Sequence, residues 1–275
     1  VDARWTAHAA TTAGSAADWW GENDDRWRID PRRGFAYVAD ASGPTYGGYH
    51  APFAVDAALG SFARVFDDTR GPPSERLGTA IIAAHAHARE LSDAHRIALA
   101  RASQQSDDDE VALRVSAMLC PPVFERLRGA TRAHYTFSLT AIAIEGDTLA
   151  LVQVGSSRCY RLRDEELTLL ASDHTLATAL ADQGDDPTVA AHLHGNVVVS
   201  VLGAAPNPHV ETVITAVRSG DRFLLCSDGL WRVDGGDFAV REAFAATKRD
   251  ALMSITTRCA DLSHDDATAV LAMRA

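Results

Sequence analysis

Phe223-Leu224-Leu225-Cys226-Ser227-Asp228-Gly229-Leu230-Trp231 is an apolar run that stops on Ser-Asp-Gly and then turns apolar again. Four consecutive apolar residues predict a short strand covered on both faces. Ser-Asp-Gly is turn chemistry, so the backbone holds Asp228 at the mouth of a buried strand. A carboxylate between apolar runs is costly to desolvate unless a cation, a proton or donor groups meet it. A local Asx turn would satisfy Asp228. A shared charged site would satisfy it from a distance, and the rest of the chain decides between the two.

Outward from this stretch, patterning predicts strands near Arg4–Thr11 and Phe35–Ala39, and over Tyr135–Ile144, Leu149–Val154, Arg158–Arg163 and Leu167–Leu170. Further strands are expected at Asn196–Leu202, Val210–Val217, Arg222–Cys226 and Ala267–Met273. Pro52 suits a first helical turn, and Val55, Leu59, Phe62 and Phe66 then make one apolar face. A longer helix is expected over Ser74–Ser103, short helical pieces at Val111–Leu119 and Val123–Leu127, and a helix pair at Asp237–Ala246 and Arg249–Leu262. Asp173 is placed as the N-cap of a short helix, and Gln104–Glu110 and Gln183–Pro187 as loops. Strands fall into two antiparallel sets, with paired helices between and after them rather than alternating β-α-β. The expected fold class is α+β, with two sheets face to face and helices on the outsides, as one domain over residues 1–275.

Bulk properties narrow the function. The net charge of −11 and the lack of a basic cluster with interleaved aromatics argue against nucleic acid as partner. No apolar run reaches 18 residues, so no membrane span is expected, and the first residues do not resemble a signal peptide. Cys120, Cys159, Cys226 and Cys259 are scattered without a Cys-x-x-Cys pair and read as reduced thiols of a cytoplasmic protein. His85 and His87 lie two apart on a helix, point to different faces and are given a structural or solvent-facing role.

Acids collect where strands begin or end: Asp24 and Asp25 in a turn, Asp40 after Tyr-Val-Ala, Asp228, and Asp265-Asp266 before Ala-Thr-Ala-Val-Leu-Ala. If these ends lie side by side, the carboxylates cannot all ionise without a counter-charge. Hard oxygen donors of this kind suit Mg²⁺ or Mn²⁺. Two such ions can activate a bridging water for in-line attack on a phosphoryl group.

The whole set resembles the PPM-type, metal-dependent serine/threonine protein phosphatases (the type 2C protein phosphatases), from about Gly21 to Met273. Asn23-Asp24-Asp25 is similar to the family's Asn-Glu-Asp, and Ala39-Asp40-Ala41 to its Ala-Asp-Gly. Val154–Arg158 resembles its Val-Gly-Asp-Ser-Arg turn, and Asp173-His174-Thr175 its Asp-His-Ser. Leu225–Trp231 carries its Leu-Cys-Ser-Asp-Gly-Leu-Trp intact, and Asp265-Asp266-Ala267-Thr268 matches its closing element. The resemblance implies a four-layer αββα sandwich, two antiparallel β-sheets flanked by pairs of helices.

It also implies two ions, Mn²⁺ or Mg²⁺, and hydrolysis of phosphoserine and phosphothreonine in proteins by a water bridging them. Asp40, Asp228 and Asp265 would hold the first ion; Asp25, Asp40 and the backbone carbonyl of Ala41 would hold the second, with Asp24 at a position that is a ligand in some members. The expected partners are a phosphorylated protein substrate and a serine/threonine kinase or its target, met by a monomer. The chain departs from the pattern in four places. Ala41 replaces a glycine. Gly47-Gly48-Tyr49-His50 comes about five residues late, with His50 as the candidate general acid. Trp20 stands where the family has a phosphate-gripping arginine, leaving Arg26, Arg28, Arg32 and Arg33 as replacements. Ser156 replaces an aspartate that supports a weak third ion. These departures support a second reading, a pseudophosphatase or partner-binding domain of the same fold. Gln104–Glu110 and Gln183–His194 are the expected docking segments.

Overall fold

The computed structural model describes residues 5–15, 23–41, 52–105, 135–195, 197–204 and 206–274. His50, Trp20, Cys120, the segment 106–110 and the two short helical pieces after it lie outside the described residues. Among the described residues there are two five-stranded sheets, and the ladders in both are antiparallel. The first runs in the order β1 (Trp5–Thr12), β10 (Ala267–Arg274), β9 (Arg222–Cys226), β6 (Arg158–Arg163), β7 (Glu166–Leu169). The second runs β2 (Arg26–Asp30), β3 (Phe35–Ala41), β4 (Phe137–Glu145), β5 (Thr148–Val154), β8 (Glu211–Ala216).

Strand alternation builds the four layers. In β3, Ala36 and Val38 enter the core between the sheets, where they meet Phe223, Leu225 and Val270. Phe35, Tyr37 and Ala39 face the other way, onto α1 (Pro52–Asp68) and α2 (Pro73–Gln105). The Phe35 ring stacks on Phe66 at 4.4 Å. In β9, Phe223 and Leu225 point between the sheets, while Leu224 and Cys226 pack on α6 (Gly236–Ala245) and α7 (Arg249–Ser263). A strand buried on both faces has no polar side to show, which is why residues 223–226 do not alternate. The four-layer αββα sandwich is therefore the observed fold.

Several local expectations change. Asn196–Leu202 forms no ladder strand among the described residues; Thr175–Val198 and Phe137–Leu202 are isolated bridges. Val197 and Val199 are exposed, and of this run Leu202 is the residue that enters the core. Thr175, not Asp173, caps α3 (Leu176–Asp182) by accepting from the Thr178 amide, because Arg158 draws Asp173 into a bidentate pair at 2.6–3.1 Å. Pro187 opens α4 (Pro187–His194) inside a segment expected to be a docking loop. β2 is an edge strand of Arg-Trp-Arg-Ile-Asp whose charges hid it, a common way of protecting an edge.

The histidines are structural, as expected. His85 is buried and its Nδ1 accepts from the Gly203 amide at 3.1 Å, while His87 pairs with the Ser61 hydroxyl at 2.6 Å. Cys159, Cys226 and Cys259 are free and buried. Among the described residues no helix is long and apolar enough to cross a membrane.

Candidate metal centre

One end of the two sheets gathers the acids. Asp40 lies within β3, one residue from its end, paired with Ser138 of β4. It is thus held by the ladder itself rather than by a loop beyond it. Asp25 directly precedes β2, and the pairing of Arg26 with Ala39 sets it next to Asp40. Asp228 opens α5 (Asp228–Trp231), a single turn that follows β9, with Ser227 at the N-cap. Asp265 stands in the turn from α7 into β10.

Hydrogen bonds lock these four segments together. The Ser227 hydroxyl donates to Asp25 Oδ2 at 2.6 Å and accepts from the Thr268 amide at 2.9 Å. Asp266 accepts from the Gly14 amide at 2.9 Å and the Asp24 amide at 2.5 Å, which ties the end of β1 and residues 23–25 to the β10 turn. Trp231 Nε1 donates to the Ser156 carbonyl at 3.1 Å. The Arg158 guanidinium lies 3.3 Å above the Trp231 ring while holding Asp173.

Gly229 makes the closest approach possible. A Cβ there would run into the Asp266 carbonyl oxygen. Gly229→Ala is expected to cost about 1–3 kcal/mol, the usual price of overpacking a rigid contact. A urea titration checks it, and an unchanged midpoint would show that α5 and the β10 turn are not locked.

The electrostatics are those of a crowded anion site. Asp25 and Asp228 are buried. Burial first, then the charges of Asp228, Asp25 and Asp265, pushes the Asp40 carboxyl well above the usual range, and it stands within hydrogen-bonding reach of Asp228. Asp25 is raised for the same first reason, against the lowering effect of the Ser227 and Thr268 hydroxyls. Asp265 sits at an exposed rim, yet its carboxyl is crowded by protein; that crowding, then the Asp228 charge, raises its pKa to about 6.

The residues fit a divalent cation. The donors are hard oxygens, they repel one another, and Asp25 Oδ1 is buried without a hydrogen-bond partner among the described residues. Among those residues, however, no three side chains form a ready coordination shell. The carboxylate oxygens are turned onto protein donors: Asp25 onto Ser227, and Asp228 Oδ2 onto Arg232 at 2.7 Å and Ser156 at 3.3 Å. Convergence is therefore at electrostatic range.

The departures sort themselves by position. Ala41 pairs with Phe137 at the end of β3 and is not among the residues with positive φ, so its Cβ is accommodated. Arg26 is the only one of the four candidate arginines at this end of β2. It reaches the Asn23 and Asp25 carbonyls at 2.8 and 3.1 Å and pairs with Asp56 at 2.7 Å. Arg32 and Arg33 lie at the opposite end, in the β2–β3 turn, beside a cleft of about 580 Å³. Arg28 lies over the Phe35 ring at 5.9 Å. Sequence reasoning overlooked Arg232 and the Ser227 clamp. The spacing of Arg232, four residues after Asp228 across a helical turn, was the available signal.

A double-sheet sandwich with its aspartates at one end has the architecture of the PPM phosphatases. The sequence profile described as protein phosphatase 2C matches residues 22–272, and the chain belongs to that family. Over 95 residues it is 43% identical to the serine/threonine protein phosphatase PstP of Mycobacterium tuberculosis, covering 34% of this chain and 18% of PstP. Over 95 residues it is 32% identical to the serine/threonine phosphatase stp of Listeria monocytogenes, covering 34% of this chain and 38% of stp. The matched region thus spans less than half the length of either relative. Among solved structures, the catalytic domain of PstP in complex with two manganese ions aligns with a TM-score of 0.65 at 25% identity, covering 98% of both chains. The PPM Ser-Thr phosphatase MsPP of Mycobacterium smegmatis, in complex with cacodylate, aligns with a TM-score of 0.69 at 22% identity, covering 98% of this chain and 99% of that one.

Proposed function

We propose that this chain is a metal-dependent phosphoprotein phosphatase that hydrolyses phosphoserine and phosphothreonine. The observation that carries the reading is the convergence of Asp25, Asp40, Asp228 and Asp265 at one end of the sandwich, each raised or held by the others or by protein donors. In this reading Asp40, Asp228 and Asp265 hold one ion, and Asp25, Asp40 and the Ala41 carbonyl a second, with Asp24 beside them. Two bound Mn²⁺ or Mg²⁺ ions would lower the pKa of a shared water and neutralise the phosphoryl oxygens.

The chain's own residues do the rest. Ser227 fixes the Asp25 carboxyl, and Gly229 lets Asp228 approach the β10 turn. The β3–β4 ladder fixes Asp40. Arg26, held by Asp56 and the Asn23 and Asp25 carbonyls, is the proposed arginine to meet a phosphate from the β2 side, and His50 remains the proposed proton donor to the leaving alkoxide. Ser156 donates to Asp228 where the family pattern has an aspartate, so a third ion is not part of this reading. The substrate is a phosphorylated protein, a serine/threonine kinase or its target, and the chain works as a monomeric domain over residues 1–275. Three buried free thiols favour a cytoplasmic setting.

The test is turnover of p-nitrophenyl phosphate and of a phosphothreonine peptide with millimolar Mn²⁺, with and without chelator. Turnover that chelator abolishes and Asp228→Asn removes is expected. Equal turnover in chelator, or none with either ion, overturns the proposal.

A further inference from the structure

Arg232 pairs with the acid cluster through Asp228. Its Nη1 lies 2.7 Å from Asp228 Oδ2, and its Nη2 donates to the Gly195 carbonyl at 2.6 Å, just beyond the C-terminus of α4. Its guanidinium also sits 5.0 Å from the centre of the Trp231 ring. The side chain keeps 21% of its surface exposed. Ser156 donates to the same Asp228 oxygen at 3.3 Å. One oxygen of a proposed ion ligand is therefore already committed to two protein donors, one of them a permanent charge.

We propose that Arg232 is a resident counter-cation of the acid cluster, competing with a divalent ion for Asp228 and so setting the ion concentration at which the site fills. The inference rests on the metal reading above. Without a cation, Asp25, Asp40, Asp228 and Asp265 repel one another, and Arg232 supplies a compensating charge in direct contact with Asp228. A divalent ion must share Asp228 with that guanidinium or displace it. Displacement is feasible because Arg232 has a second anchor at Gly195, where the carbonyl end of α4 attracts positive charge. Its partial exposure also lets water solvate the released side chain. Arg232 acts through Asp228 and is thus a positioning residue.

The test is calorimetric titration of Mn²⁺ at pH 7.5 into the wild-type chain, Arg232→Gln and Arg232→Lys. Arg232→Gln is expected to bind Mn²⁺ about tenfold more tightly, equal to about 1.4 kcal/mol. Arg232→Lys keeps the charge and is expected to stay close to wild type; a purely structural role would move both variants alike. Equal or weaker binding by Arg232→Gln overturns the inference. Should Arg232→Gln fail to melt cooperatively, Arg232→Met takes its place under the same criteria. Wild-type binding with an unchanged variant sinks this inference alone, whereas no binding by any chain sinks the metal reading and this inference together.

Discussion

Asp40→Asn is expected to abolish Mn²⁺-dependent turnover while raising the melting temperature of the metal-free chain. The two effects have one cause. Asp40 is held by the β3–β4 ladder among Asp25, Asp228 and Asp265, and burial plus those charges raises its carboxyl well above the usual range. In the unfolded chain the same carboxyl ionises near 4. Its folded pKa is raised, so its contribution is present in acid and lost as pH rises through the folded value. At neutral pH the metal-free fold therefore pays for Asp40, and a neutral amide of the same shape removes that cost and can donate to Asp228. A gain of about 1 kcal/mol corresponds to about 2–4 °C for a chain of this size. Turnover should fall by at least about 100-fold, the upper range for loss of even an outer-shell partner of a metal. Melting in EDTA and a phosphopeptide assay check the two halves. A variant that melts lower than wild type in EDTA would show that Asp40 is a structural acid.

The stabilisation given by Mn²⁺ should widen as pH rises from 5.5 to 7.5. Ion binding requires ionised carboxylates, so protons compete with it. Asp265, with a pKa of about 6, takes up a proton at the acid end of this window, and burial shifts the Asp25 and Asp40 carboxyls in the same direction. His174 works in the other direction. Burial, then the neighbouring His209, lowers it to about 4, so it stays neutral in the fold while the unfolded chain takes up a proton below about 6.5. That makes both metal-free and metal-bound chains less stable as pH falls. Because His174 acts alike in both, subtracting the EDTA melting temperature from the Mn²⁺ value isolates the carboxylates. With Mn²⁺ at about 100 times its dissociation constant at pH 7.5, the gain is about 2.7 kcal/mol, or about 5–10 °C. A gap that is constant or narrows with pH would mean that the ion does not displace protons from these acids.

Much of the site was legible because its backbone context is local. Residues 223–231 show a doubly buried strand breaking into a helical turn, and that alone places Asp228 at a strand end. The short apolar runs of β3 and β10 do the same for Asp40 and Asp265. Other features depended on contacts that sequence does not display. Asp173 reads as a helix cap, but Arg158 takes it and Thr175 caps instead. Asn196–Leu202 has strand composition, yet among the described residues it makes only isolated bridges, at Val198 and Leu202, with Val197 and Val199 exposed. β2 is hidden because an edge strand is free to carry charge.

The chain's linear order determined which residues are apolar on two faces, and that acids stand beside several strand ends: Asp25 before β2, Asp40 one residue from the end of β3, Asp228 after β9 and Asp265 before β10. Only the tertiary structure decided how those acids are compensated. Ser227 reaches Asp25 across 202 residues, and Asp266 gathers the Gly14 and Asp24 amides. The guanidinium facing Asp228 is the exception, since it comes from the same helical turn and its spacing is legible in the sequence. Compensation of charge depends on distance through space, and a sequence fixes that distance only once its sheets have packed.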